Sequence, residues 1–414
     1  MSATFFKQVF LGTVLLLVGA AAQDIEFVGS FNGLNDAYDV VVRWPYAYVC
    51  EYSNSSGLVV VDVSDPTNPT FVSIYETPGC THDLAINDNF AFLADDTYGF
   101  HTVDILYPDW PQYVSDYDTP DRAFGIFADD NYVYLANGYA GFFIFDITDP
   151  WLPDLIGEYD TPYSASGVWI DQDKAYLTDH DYSLHIFDIT NRDNPQLLSS
   201  IDTPGYARRG IAVVGDYAFI PDWGDGLQII DVSDATSPSW AGNYNSPGHA
   251  LNVWVKHFAY VTLFEAGIVV LDISYPPEPR FLAEYNTPGT ARGICVNSGF
   301  IFVADVTSLQ ILKLSATDIA PDSEDTPTMY YLFTSYPNPF NSSAVLSYDL
   351  PEDGHITLDI YNISGQKIAT LFDGVEAMGA HQKLWHAGQM ASGVYFARLI
   401  TPSYMASTQL ICLK

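Results

Sequence analysis

Between residues 38 and 315 the apolar positions fall in short runs of strand length, broken by Asn, Asp, Gly and Pro. The first four runs are YDVVVR (38–43), YAYVCEY (46–52), GLVVVDVS (57–64) and TFVSIYE (70–76). Val, Ile, Phe and Tyr dominate and no helical period runs through them, so they predict strands. The third run is almost unbroken here and in later copies (GFFIFDI, GIVVLDI), which predicts a strand covered on both faces.

The set of four repeats. The phrase YETPG (75–79) returns as YDTPD (117–121), YDTPY (159–163), IDTPG (201–205), YNSPG (244–248) and YNTPG (285–289). Its prolines, 78, 120, 162, 204, 247 and 288, are spaced 42, 42, 42, 43 and 41 residues apart. Four short strands at such a period predict radially stacked blades. A second proline, at 69, 111, 153, 195, 238 and 279, introduces each fourth run. A residue without an N–H is tolerated at a strand start or a sheet edge, so the fourth strand should be the outermost.

A seventh unit starts at 291 and stops after its third strand, and IEFVGSF (25–31) matches the missing fourth one. Third strands end in Asp62, Asp104, Asp146, Asp188, Asp231 and Asp272, suited to bonding the turn that follows, whereas the seventh has Lys313 and no turn to bond. The expected fold is all-β: a seven-bladed propeller over 23–315, closed by its N-terminal strand.

After an acidic, polar stretch read as a linker (316–329), alternating runs at 343–350, 355–362, 366–373, 379–386, 393–400 and 406–413 predict a small β-sandwich within 330–414.

GLVVVDVSDPTNP and its copies resemble the LVIVD-repeat family of secreted bacterial propellers, which implies an extracellular propeller and no catalytic residues. The tail resembles the type A C-terminal sorting domain of the type IX secretion system, an Ig-like module. The matching residues are Tyr336-Pro337-Asn338-Pro339-Phe340-Asn341, Leu350-Pro351, Ile360-Tyr361-Asn362, Gly365-Gln366, Ser392-Gly393-Val394-Tyr395 and Leu413-Lys414. That resemblance implies export across the outer membrane, with residues 330–414 engaging the secretion machinery and placing the propeller outside the cell or on its surface.

The N-terminus agrees. Lys7, an apolar run and Ala20-Ala21-Ala22 read as a signal peptide over 1–22, and no later stretch has the length of a membrane-spanning helix. With 51 acidic against 15 basic residues the net charge is −36, which excludes nucleic acid as a partner. Cys50, Cys80, Cys295 and Cys412 are too scattered for a disulfide framework, though Cys50 and Cys80 could meet within the first repeat.

In a propeller the loops entering each blade and those between second and third strands share the channel-mouth face, the default ligand site. The entering segments carry Tyr38-Asp39, His82-Asp83, Arg122, Phe124, Ser166, Arg208-Arg209, Leu251-Asn252 and Arg292. The second set begins with Glu51, Asp95, Asn137, Asp179, Asp222 and Asp305, with Leu263 the exception. Two readings stand open: the carboxylates bond turn N–H groups and tie down a neighbouring Arg or His, or the basic groups face an anionic ligand. Trp223, Phe264, Tyr139 and Tyr182 could stack on sugars or anchor a partner, or simply pack between loops. An acid/base pair from Asp39 or Asp83 beside His82 is the catalytic alternative.

His82, His180 and His249 lack metal-ligand spacing, and 171–181 lacks the glycine and closing glutamate of a calcium loop. Phosphate loops, nucleophile elbows and cofactor motifs are not found. The expectation is a non-catalytic binder of an extracellular glycan, peptide or protein. Its candidate contacts are Tyr38, Asp39, His82, Asp83, Arg208, Arg209, Trp223, Asn252, Phe264 and Arg292. An extracellular hydrolase or lyase with its site at the same mouth, or a surface scaffold, are the alternatives.

Overall fold

The structure is a computed structural model that describes residues 24–53, 56–180, 183–207, 209–315, 331–336, 343–350, 354–362, 366–376, 379–388, 390–400 and 405–412. The expected signal peptide and linker, Arg208, Tyr182 and the Pro337–Asn341 part of the tail motif lie outside the described residues. The chain divides into two compact units between Thr317 and Asp318.

The first unit holds seven four-stranded antiparallel sheets. Blade 1 runs outward through Ala37–Arg43, Tyr46–Ser53, Ser56–Asp62 and Thr70–Tyr75, and the next five repeat this order. Blade 7 is made of Gly293–Asn297, Phe300–Asp305 and Ser308–Leu314, and its outer strand is Ile25–Phe31. Ile25 pairs with Leu314, Phe27 with Leu312 and Gly29 with Ile311, so the ring closes as the sequence predicts. Third strands are buried on both faces, Phe142 to Phe145 among them, because each blade is covered by two others. The terminal aspartates act as expected: the Oδ1 atoms of Asp62, Asp104 and Asp231 accept the N–H groups of Ser64, Leu106 and Ser233 at 2.8, 2.8 and 3.0 Å.

Adjacent blades are tied at the outer strands. Each outer strand carries a bulge, at Val114 in blade 2 for example, followed by a Ser or Gly in blades 1 to 5 and 7. Ser73, Ser115 and Ser199 Oγ donate to the carbonyls of Pro108, Pro150 and Ala235 in the following blade, at 2.5 to 2.6 Å. Where glycine stands, the backbones come closer: a Cβ on Gly157 would lie 2.0 Å from the Arg192 oxygen. Blade 6 has Ala283 there, and it faces the one blade without a hairpin between its third and fourth strands.

The recurring proline phrase is a latch. Asp95 accepts Thr77 Oγ1 at 2.8 Å and the Gly79 N–H at 2.9 Å, and Asp222 and Asp305 do the same for Thr203/Gly205 and Thr287/Gly289. Glycine is required because a Cβ on Gly79 would sit 2.6 Å from the Asp95 carbonyl oxygen. Where the phrase ends in Asp121, the acid is replaced by Asn137, which accepts only Thr119 Oγ1, at 2.8 Å. The turn N–H half of the expectation for these carboxylates therefore holds, while the Arg/His half is corrected. His101 and His185 approach Asp95 and Asp179 from third strands, and the mouth arginines pair elsewhere.

The second unit has two sheets. Tyr331–Tyr336, Ser343–Leu350 and Gly379–His386 make one, and Lys367–Glu376, Gly354–Asn362, Gly393–Ile400 and Met405–Cys412 the other. Leu346, Tyr348 and Trp385 of the first pack with Leu358, Leu399 and Leu410 of the second. Its six predicted strands are present with ends shifted by up to three residues, and the strand at Tyr331–Tyr336 is an addition. None of the four cysteines forms a disulfide, so Cys50 and Cys80 are not bridged.

Candidate functional site

The residues expected in the entering loops are, in large part, the first residues of inner strands. Tyr38 and Asp39 lie in Ala37–Arg43, Asp83 opens Asp83–Asn87, Ser166 lies in Ala165–Asp171 and Asn252 opens Asn252–Val255. In ring order the position of Asp39 is filled by Asp83, Gly125, Gly167, Gly210, Asn252 and Gly293. The inner strands crowd the axis there: a Cβ on Gly167 would lie 1.9 Å from the Arg209 oxygen. Below this ring is a cavity of ≈ 320 Å³ walled by Phe127, Trp169 and Trp254, with Asp39, Asp83, Arg209 and Asn252 at its edge.

Asp39 Oδ1 accepts the Val40 N–H at 2.9 Å, and Asp83 accepts Leu84 N–H at 2.8 Å and Ile126 N–H at 2.9 Å. Asn252 Oδ1 accepts the Val253 N–H at 2.8 Å, and its amide donates to Asp39 at 3.4 Å. The two carboxyls bond each other. Burial lifts both above the ordinary aspartate value of 3.8, and the Asp83 charge raises Asp39 further, so the pair holds a shared proton. The pair is thus a strand fastener more than an acid/base partner for His82, whose Nε2 faces Asp96 at 3.5 Å. Burial holds His82 below its usual value and the Arg209 charge adds to this, while Asp96 opposes them.

Arg209 crosses the mouth. Its guanidinium carbon stands 3.7 Å from the Tyr38 ring centroid, and Nη2 donates to the His82 carbonyl three blades away. Its Nη1 is buried with no hydrogen-bond partner. Arg292 pairs with Asp36 at 2.7 Å and flanks the same Tyr38 ring at 4.9 Å. Arg122, half exposed, stands 3.5 Å from Asp96. The arginines brought together at the mouth are therefore largely held by local carboxylates and rings.

Aromatic groups form two clusters. His82 sits among Tyr38, Tyr52 and Phe124 at 4.9 to 5.2 Å, and His180 stacks on Phe124 at 5.6 Å. Across the mouth Trp223 stacks on His249 at 4.4 Å and meets Phe264 at 5.4 Å. Trp223 and Phe264 are half-buried, whereas Tyr139 is exposed, at 70%.

Their backbone is unusual. Trp223 and Phe264 have φ of 48° and 52°, at turn positions where blade 3 has Gly138 (φ 52°) and blade 2 has Asp96 (φ 49°). The turn is structural in every case, since each carbonyl accepts the N–H of an alanine at or just ahead of the next inner strand: Ala123, Ala165, Ala250 and Ala291, at 2.8 to 3.0 Å, as Val306 (φ 53°) does for Ala37 at 2.6 Å. A bulky residue pays for this conformation where glycine would not. Sequence reading missed Asp36, Asp96 and Tyr52. The alanine repeated at 37, 123, 165, 250 and 291 was the available signal for where five of the seven inner strands begin.

The shared proton sets a pH dependence. A carboxyl whose folded value is raised binds its proton more tightly when folded, so stability falls as pH climbs from about 3.8 through the folded value. Asp222, pushed up by burial to about 6, acts in the same direction. Asp39→Asn places a permanent donor against Asp83, as Asn252 of blade 6 already does against Asp39. It should leave the melting temperature unchanged near pH 5 and raise it at pH 8 by about 2–4 °C. Thermal melts from pH 5 to 9 decide it, and equal losses at both ends would contradict the shared proton.

Seven LVIVD repeats match at 35–77, 78–119, 122–161, 163–203, 204–246, 247–287 and 288–317, and a secretion system C-terminal sorting domain matches at 334–413. No curated protein matches the chain. Among solved structures, the WD40 β-propeller domain of Doa1 gives a TM-score of 0.58 at 11% identity, covering 72% of this chain and 98% of that one. The Cps50 (Swd1) propeller of Myceliophteria thermophila gives 0.58 at 8%, covering 70% and 100%. PorZ, described as a surface component of the type-IX secretion system of Porphyromonas gingivalis, gives 0.52 at 12%, covering 93% of this chain and 60% of PorZ. In all, 1030 solved chains match, an architecture too widely used to specify a ligand.

Proposed function

This chain belongs to the LVIVD-repeat family and ends in a type IX sorting domain, and on that footing we propose that it is a non-catalytic binder of an extracellular glycan, peptide or protein at the channel mouth. The sorting domain makes it a secreted or outer-surface protein, and residues 334–413 engage the secretion machinery.

The observation that carries the binding reading is the backbone of Trp223 and Phe264. The fold needs only a residue able to adopt positive φ there, as Gly138 shows, yet this chain places two large rings at the mouth. Arg209, against Tyr38 and His82, adds a buried, unmet donor at the same mouth, suited to an acceptor oxygen on a ligand. A hydrolase or lyase reading would use Asp39 and Asp83, but their oxygens are occupied by strand N–H groups and by each other.

Trp223→Gly and Phe264→Gly separate binding from packing. Relief of backbone strain offsets part of the lost ring contact, so the melting temperature should move little, within about 3 °C. Affinity for ligands found on glycan and peptide arrays should fall about tenfold or more, as loss of a stacked aromatic anchor does. If the glycine variants bind as before and only melt earlier, the rings are packing. Turnover of a glycan or ester panel that Asp83→Asn abolishes would establish the enzyme instead.

A further inference from the structure

The hairpins joining third to outer strands lie at the blade ends opposite the mouth, and their repetition makes each a control for the others. In blades 1, 4 and 5 the turn reads SDPTN (64–68), TNRDN (190–194) and SDATS (233–237). In blades 2 and 3 it reads LYPDW (106–110) and TDPWL (148–152). The same backbone is thus built with polar residues three times, with a single exposed aromatic, Tyr275, in blade 6 (SYPPE, 274–278), and with several large apolar ones in two adjacent blades. Leu106, Tyr107, Trp110, Trp151 and Leu152 are 50 to 74% exposed, and Tyr113 on the adjoining outer strand is 57% exposed. The turn geometry does not ask for these side chains, and burial does not reward them.

Three of them, Tyr113, Trp151 and Leu152, border a cleft of ≈ 560 Å³ between blades 2 and 3, which Ser115, Asp116 and Asp154 also line. Its rings are fixed in advance. Trp151 meets Phe90 edge-on at 5.6 Å, and the Tyr113 hydroxyl donates to Asp116. Ser115 Oγ donates to the Pro150 carbonyl at 2.6 Å, locking the two walls together. From residue 81 to 159 there are fifteen acidic residues and a single cation, Arg122, at the mouth end of the blade.

We propose that this cleft is a second binding site, for a glycan that carries no acidic groups. Tyr113 and Trp151 supply rigid apolar faces for sugar rings, and Asp116 and Asp154 accept hydroxyl protons beside them. An acidic glycan meets carboxylates with no cation to offset them. A peptide adding to the sheet edge meets Pro111 at the strand start and the bulge at Val114, which interrupt the ladder it would need.

The test uses the secreted chain with cellohexaose, mannohexaose, chitohexaose and polygalacturonate, read by calorimetry and tryptophan fluorescence. Trp151→Thr/Leu152→Asn and Trp110→Asn install the residues blade 1 carries at those positions, Thr67 and Asn68, so folding should persist with melting shifts within about 2 °C. At least one uncharged or amino-bearing hexasaccharide should bind, and the Trp151/Leu152 swap should weaken it about tenfold or more, while Trp223→Gly leaves it unchanged. Binding lost in Trp223→Gly but kept in the swap would assign the sugar to the mouth and overturn the cleft. Binding of polygalacturonate alone, of no hexasaccharide, or self-association that the swap abolishes without any sugar binding, would overturn it equally.

Discussion

Protein made without residues 24–31 should melt more than about 10 °C below protein that keeps them, and should associate with rising concentration. Six residue pairs join Ile25–Phe31 to Ser308–Leu314, and Ile25 is buried in the core that blade 7 shares with blade 6. Deleting a buried isoleucine costs about 2–5 kcal/mol, and each lost strand hydrogen bond about 0.5–1.5 kcal/mol more. Against a total stability of about 5–15 kcal/mol, that is a large share. Ser308–Leu314 would then keep only its pairing with Phe300–Asp305, leaving its outer edge an open template for another chain. A synthetic peptide of residues 24–32 added back should recover much of the loss, because the strand is held by pairing and not by its covalent link. Calorimetry and light scattering read both effects. An unchanged melting temperature with unchanged mass would mean that the ring does not depend on its closure.

The closure was legible because it rests on local facts: an apolar alternation, a period near 42 and a missing outer strand whose match lies at the other end. The hairpin aspartates were legible for the same reason, each bonding a residue two positions on. The mouth was legible only as a list of residues. That Arg209 of blade 5 reaches the His82 carbonyl of blade 2, or that Asp36 claims Arg292, depends on separations of 127 and 256 residues that no spacing rule relates. Of the two readings open for the latch acids, bonding to turn N–H groups is the one that Asp95, Asp222 and Asp305 follow. Their other partner was misjudged, because the threonine of the proline phrase looked like turn composition and not like a donor. The positive φ of Trp223 had no signature in the sequence beyond its alignment with Gly138, a comparison that gains meaning only once the turn is known to be left-handed in both.

That latch carries the second large effect. Asp95→Ala should cost about 3–5 kcal/mol, because it strands buried donors without replacing them. Asp95 accepts Thr77 Oγ1, Thr81 Oγ1 and the Gly79 N–H at 2.8, 3.1 and 2.9 Å, and all four residues are buried or nearly so. The chain itself shows the constraint at the two units that lack this glycine: where Asp121 stands the acid is replaced by Asn137, and where Tyr163 stands the acid, Asp179, accepts the Ser183 N–H and pairs with His185 instead. Asp95→Asn keeps one acceptor oxygen and should cost roughly half as much, leaving either the glycine N–H or a threonine unmet. Thr77→Val removes one donor and its need together and should be the mildest of the three. Urea unfolding of the secreted chain gives the order directly. If Thr77→Val proves as damaging as Asp95→Ala, the methyl of the threonine is packing the loop and the hydrogen bonds are incidental. If the order holds, the recurring phrase is kept because each crossing between blades must be pinned where it passes over the next sheet, and a hydroxyl, a proline and a bare N–H do this in three residues.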